Sequence, residues 1–257
     1  MPEGVVLHDP TPLPPAIFLD RDGTLVRDIR HAADPGRLEL LAGVPEALGV
    51  LSSAGYRLVV VTNQSGVARG CFSLAEAEAM GEALTASLGA LGVELAGYYL
   101  CPHYSGPCTC RKPAPGLLIN AAESLGLDLT RSWMIGDQPS DVAAGTAAGV
   151  RPILVDIGLV SRPPEPPLDA PLAPGTLVAR SLPQAVAIIL ATDGRIESRD
   201  PLVRPVPLDR LYRRAPPLDL RQVGEASRWP DAPWAAAALR DAARLQTVWR
   251  RRRGGLE

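Results

Sequence analysis

AIFLDRDGTL, residues 16–25, decides how this chain is read. Its first four residues are a short apolar run, which predicts a buried strand. The run passes without a break into Asp20 and then Asp22. If the extended backbone continues past Asp20, a period of two puts both carboxylates on one side. Gly23 lets the chain turn sharply, and Thr24 is expected to bond locally and hold the turn. The plain alternative is a solvated turn, since turns are rich in Asp. Two acids facing one small volume raise each other's pKa unless a cation or a shared proton offsets them.

Working outward, RLVVVT (57–62), WMI (133–135) and ILV (153–155) read as further buried strands. The stretches GVPEALGVLSSAG (43–55), SLAEAEAMGEALTASLGALG (73–92), PGLLINAAESLG (115–126) and SDVAAGTAAG (140–149) read as helices. TLVARSLPQAVAIIL (176–190) adds a last strand and helix. Strands alternating with helices predict an α/β fold: a Rossmann-like parallel sheet with right-handed crossovers and helices on both faces. Such sheets bind ligands beyond the carboxyl ends of their strands.

Composition bounds the rest. A length of 257 residues suits one domain with an appendage, and a net charge of −2 predicts no dominant polyanion partner, hence no nucleic acid. Neither an uninterrupted apolar run of membrane length nor a signal-like N-terminus is seen, so a soluble, cytoplasmic protein is expected. Residues 193–257 carry 14 Arg against 9 acids, while residues 1–192 carry 12 basic residues against 19 acids. The expected division is an N-terminal arm over 1–15, a main domain over 16–192 and an Arg/Pro-rich extension over 193–257. Residues 162–175 are too proline-rich for a helix or an inner strand. Residues 231–253 predict a helix with Asp231 as its N-cap, either docked on its own domain or meeting an unknown partner. A monomer is expected.

Two other strand ends carry compatible chemistry. Thr62, Asn63, Gln64 and Ser65 form a row of hydroxyl and amide groups that suits phosphate oxygens, or else a capped loop. Asp137 follows the third strand, with Asp141 four residues later; an N-cap is the bland reading. Together Asp20, Asp22 and Asp137 call for a hard, oxygen-loving cation such as Mg2+. A phosphate would add negative charge and so require a fixed cation. Lys112 is the chain's sole lysine, against 25 arginines.

Lys112 sits in CPHYSGPCTCRKP, residues 101–113. Cys101, His103, Cys108 and Cys110 give C-x-H-x4-C-x-C, a full tetrahedral donor set for structural zinc; a disulfide plus a spare thiol is the competing reading. Arg111 and Lys112 follow directly, so a metal that pins the loop would also anchor the lysine stem. Cys71 stands apart as a small buried or loop residue.

The motifs DRDGT, TNQSG, the Lys of CRKP, and GDQPSD, in this order over residues 16–190, resemble the four motifs of the haloacid-dehalogenase-superfamily phosphatases. The resemblance implies a Mg2+-dependent phosphomonoester hydrolase with Asp20 as nucleophile and Asp22 as general acid and base. Thr62 and Lys112 would hold the transferring phosphoryl oxygens, with Asn63, Gln64, Ser65 and Arg111 toward the substrate. Mg2+ would lie among Asp20, Asp137 and the main-chain carbonyl of Asp22, and Asp141 would orient that shell. The zinc loop narrows the resemblance to the capless branch containing heptose 1,7-bisphosphate 7-phosphatases and histidinol-phosphate phosphatases. A small phosphorylated metabolite, foremost a sugar bisphosphate, is the implied partner. Val26 and Gln138 depart from the heptose pattern, which commonly has Asn and Lys there. The four-residue gap between His103 and Cys108 is closer to the histidinol-phosphate type. A third reading, from another class, is a catalytically idle domain with a partner-binding tail.

Overall fold

The computed structural model describes residues 12–28, 33–155 and 176–195. The expected helix over 231–253, the stretch 162–175 and all but the first three residues of the extension lie outside the described residues, as do residues 1–11 of the arm.

The run at 16–19 forms strand β1 (Pro15–Leu19), buried throughout. Along the chain follow α1 (Val44–Ser53), β2 (Arg57–Asn63), α2 (Leu74–Ala90), β3 (Gly97–Cys101), α3 (Gly116–Leu125), β4 (Asp128–Gly136), α4 (Pro139–Ala147), β5 (Arg151–Val155), β6 (Leu177–Ala179) and α5 (Leu182–Thr192). Six parallel strands lie in the order β3-β2-β1-β4-β5-β6. Alternate residues of each strand face opposite ways and supply two cores. Ile17, Leu19, Leu58, Val60 and Trp133 pack with α1, α2 and α5, and Ala16, Phe18, Val59, Val61 and Met134 pack with α3 and α4. No second sheet is present among the described residues, and helices cover both faces of this one. Among them, no helix is long and apolar enough to cross a membrane.

Three departures from expectation matter. β3 was not foreseen, because GYYLC is only half-buried along most of its length and forms an edge of the sheet. β4 begins at Asp128 rather than Trp133; its polar first half is partly exposed, so it lacks the apolar signature that marks the second half. The arm and extension boundaries also shift. Pro15 opens β1, where a missing N–H is tolerated, and Asp128 N donates to Pro14 O at 3.0 Å. At the other end Asp193 belongs to the body: its carboxylate accepts from Trp133 Nε1 at 3.2 Å and from the Tyr56 hydroxyl, and pairs with Arg151 at 2.6 Å.

Candidate active site

β1, β2 and β4 are neighbours, so their carboxyl ends bring Asp20, Thr62 and Asp137 to one edge of the sheet. Asp20 N donates to Ile135 O at 2.9 Å, which fixes the residue just past β1. α4 starts two residues beyond Asp137, with Gln138 as its N-cap, and Asp141 in its first turn accepts from Gln138 N at 2.9 Å. An acid in this position is favoured by the helix dipole.

Lys112 crosses into this cluster almost fully buried. Its ammonium donates to Asp20 Oδ1 at 2.7 Å and to Val61 O at 2.7 Å, and lies 2.6 Å from Asp141 Oδ1. Burial works against its charge, but the two carboxylates outweigh burial and hold its pKa above the ordinary lysine range. The backbone of Lys112 is gripped as well. Lys112 N donates to Asn63 Oδ1 at 3.0 Å, and Asn63 Nδ2 donates to Lys112 O at 2.9 Å. Asn63 was expected to face the substrate; instead its amide is spent on the lysine, because Lys112 crosses the end of β2 with its N–H and C=O in need of partners.

Oxygens of Asp20, Asp137 and Asp141 lie within 4.8 Å of one another. Burial is the largest cause that pushes Asp20 up to about 6, reinforced by Asp141 and opposed by Lys112. Burial, with Asp20 and Asp141 adding to it, pushes Asp137 up to about 8. Asp137 Oδ2 accepts from Gln138 Nε2 at 2.9 Å, whereas its Oδ1 is buried with no hydrogen-bond partner. Two glycines make room for these acids. A Cβ on Gly23, whose φ is +79°, would lie 2.4 Å from Asp137 Oδ2, and one on Gly136 would lie 2.2 Å from Asp141 Oδ2. Three acids, one lysine and an orphaned buried oxygen suit a hard divalent cation with oxygen ligands.

Asp22 is not among the three clustered acids. The extended backbone ends before it: Leu25 N and Val26 N both donate to Arg21 O, at 2.9 and 3.1 Å, and Gly23 N donates to Val26 O at 2.8 Å. This tight turn sets Asp22 beside the end of β2, still close enough for its charge to help raise the pKa of Asp20. There Arg21 grips its carboxylate with Nε and Nη2, at 3.1 and 2.8 Å, and Gln64 Nε2 donates to it at 2.9 Å. Gln64 Nε2 also lies 2.9 Å from Thr62 Oγ1, so Asp22, Gln64 and Thr62 form one row beside the acid cluster. Ser65 lies buried next along the turn. Main-chain bonds close the turn at 21–26, and the buried Thr24 hydroxyl has no partner, contrary to its expected local bond. Arg21 went unread in the sequence. Only 2% exposed, it also donates to the Tyr98 hydroxyl at 3.1 Å, and an arginine between two aspartates gives no sign of burial.

Cys101, His103, Cys108 and Cys110 gather at the end of β3. Their six pairwise separations, between Sγ atoms and His103 Nδ1, run from 2.9 to 3.8 Å. A tetrahedron of such edges has its centre about 2 Å from each corner, close to zinc–nitrogen and zinc–sulfur bond lengths. The four donors therefore fit one tetrahedral ion. Arg111 Nη1 donates to His103 O at 3.1 Å, and its guanidinium and that of Arg69 lie 5.8 and 3.8 Å from the centre of the Tyr104 ring. Cys71 is an exposed loop residue.

Comparison with known proteins agrees with this geometry. A family model described as "HAD-hyrolase-like" matches residues 109–185. The D-glycero-beta-D-manno-heptose-1,7-bisphosphate 7-phosphatase of Salmonella typhi is 44% identical over 144 residues, 53% of this chain and 77% of that protein. Its counterpart in Pasteurella multocida is 43% identical over 151 residues, 56% and 82% of the two chains. The D,D-heptose 1,7-bisphosphate phosphatase of B. bronchiseptica, solved with magnesium and phosphate, superposes with a TM-score of 0.59 at 30% identity, covering 71% of this chain and 99% of that one. With its strand-end acids, buried lysine and parallel sheet, the chain belongs to the haloacid-dehalogenase-like phosphatases, in the family of the heptose bisphosphate phosphatases.

Proposed function

We propose that this chain is a D-glycero-β-D-manno-heptose 1,7-bisphosphate 7-phosphatase that works through an aspartyl-phosphate on Asp20. The reading rests above all on the Lys112 ammonium, held between Asp20 and Asp141 where three strands end. The substrate is taken from the relatives' activity.

A carboxylate oxygen of Asp20 attacks phosphorus, the bond from phosphorus to the sugar oxygen breaks, and Asp22 gives that oxygen its proton. Asp22 then takes a proton from water. The water oxygen bonds to phosphorus as the bond to Asp20 breaks, returning the free carboxylate and inorganic phosphate. To carry its proton, Asp22 loosens its bonds with Arg21 and Gln64 as the substrate oxygen arrives. Lys112 and the Thr62 hydroxyl hold the moving phosphoryl oxygens, Asp141 positions Lys112, and Gln64, Ser65 and Arg111 face the rest of the substrate. Asp20, Asp137 and the Asp22 carbonyl would hold a magnesium ion, which would supply positive charge against the phosphoryl oxygens. Zinc on Cys101, His103, Cys108 and Cys110 is structural, and the enzyme acts in the cytoplasm.

The test is phosphate release from heptose 1,7-bisphosphate by the purified full chain with Mg2+. Asp20→Asn should lower turnover by a factor on the order of a thousand or more while leaving the fold intact. Histidinol phosphate is the second reading, favoured by the four-residue gap in the zinc loop. A higher kcat/KM on histidinol phosphate would move the assignment there, and undiminished turnover in Asp20→Asn would end the mechanism.

A further inference from the structure

The opposite edge of the sheet carries a second concentration of charge. Pro15 opens β1, Arg151 opens β5, and Arg131 lies in the first half of β4. With Asp193 and Arg195, just past α5, they line a cavity of about 230 Å³. Asp20 and Asp137 leave the far ends of the same strands, and β1 spans five residues, so roughly 15 Å of sheet separates the two places.

Three arginines against one aspartate leave an excess of positive charge, and the aspartate is already engaged. Asp193 pairs with Arg151 at 2.6 Å and accepts from Trp133 Nε1 and the Tyr56 hydroxyl. Each arginine is held differently. Arg151 stacks 3.9 Å from the centre of the Trp133 ring, and its Nε is buried without a hydrogen-bond partner. Arg195 lies 4.7 Å from the centre of the Tyr56 ring and donates to Ala54 O, a neutral acceptor. Arg131 has neither a hydrogen bond nor an ion pair among the described residues. Rings behind two of the guanidiniums fix their planes before any ligand arrives, which reduces the ordering cost of binding. Guanidinium forks match tetrahedral oxyanions through paired N–H donors. The volume lies below that of drug-sized pockets and suits a small ligand.

We propose that this cavity binds a small tetrahedral oxyanion, either inorganic phosphate or the phosphoryl group of a phosphoester, independently of the hydrolytic centre. The Trp133 indole N–H reports on it, because it bonds to Asp193 and its ring lies under Arg151. Inorganic phosphate is titrated into the full chain with zinc bound and Mg2+ left out, while the Trp133 indole resonance, assigned with a Trp133→Phe spectrum, is followed by NMR. The shift should saturate, persist in Asp20→Asn, and weaken by about tenfold in Arg131→Gln, as expected for loss of one charge-assisted contact. The Arg131 side chain is exposed, with no hydrogen bond or ion pair among the described residues, so that variant should melt like the parent. A shift that chloride reproduces at equal ionic strength, that survives Arg131→Gln unchanged, or that never saturates would overturn the site. The assignment of the hydrolytic centre stands or falls separately, by phosphate release.

Discussion

The acid cluster takes Asp20, Asp137 and Asp141 from the ends of two strands and the start of a helix, whereas the sulfur cluster takes all its donors from residues 101–110. One is assembled by the sheet across more than a hundred residues of chain; the other is assembled by a loop. Their costs differ accordingly. The acids are sunk beside a lysine, and their burial pushes Asp20 and Asp137 well above the ordinary carboxylate range. The sulfur donors begin at buried Cys101 and run outward into half-exposed loop. An ion at the first site relieves a strain that the fold imposes, while an ion at the second ties down chain that has little other reason to order.

Metal removal should separate them most sharply. Exchange into Mg2+-free buffer is expected to abolish turnover, reversibly on return of Mg2+, with zinc content and far-UV circular dichroism unchanged. pH gives the same contrast a sign. Asp20 and Asp137 hold protons in the folded, metal-free state at pH values where the unfolded chain has lost them. Stability from these groups is therefore present near pH 4 and lost as pH rises toward about 8. Saturating Mg2+ should flatten that decline; a melting temperature equally pH-dependent with and without Mg2+ would contradict it.

Next in size is Lys112→Met. Removing the cation leaves Asp20 and Asp141 buried without their partner, a loss of about 3–5 kcal/mol in chemical denaturation, with turnover gone. A change close to zero would mean that the lysine does not hold the acids together.

Asn63→Ala and Cys110→Ser decide what anchors the lysine. The sequence suggests the zinc loop; the hydrogen bonds point to Asn63, which meets both the N–H and the C=O of Lys112. Asn63→Ala should cost about 2 kcal/mol and lower kcat with zinc content unchanged. Cys110→Ser should lose zinc, by metal analysis, with a smaller fall in kcat. The reverse order would return the role to the metal. Smallest is Thr24→Val, which removes a buried hydroxyl without a partner and should be neutral or stabilising by up to about 1 kcal/mol in urea denaturation.

These contrasts also explain what could be read in advance. The runs at 16–19, 58–62 and 153–155 are buried on both faces, so apolar continuity marks them as strands. β3 and the first half of β4 are partly exposed and lack that mark, although β3 delivers Cys101 and pairs it with Asn63. Residue types at strand ends suffice to gather Asp20 and Asp137, because adjacent parallel strands must end together. Side-chain direction is another matter. Asp22 obeys the turn at 21–26 rather than the strand before it, and Asn63 turns to Lys112 because unpaired main-chain groups lie within its reach. Neither outcome is written in spacing. Arg21 and the cavity between Arg131, Arg151 and Arg195 likewise depend on neighbours that only the folded chain supplies.

The central claim is that phosphorus passes through Asp20, and trapping the phosphorylated enzyme tests it most directly. Enzyme mixed with Mg2+ and heptose 1,7-bisphosphate is quenched in acid within the first turnover, and the modified peptide is located by mass spectrometry. The account requires one phosphate on the peptide that contains Asp20, and none in Asp20→Asn. Phosphate on any other residue, or turnover by the Asp20→Asn protein at the parent rate, would contradict it.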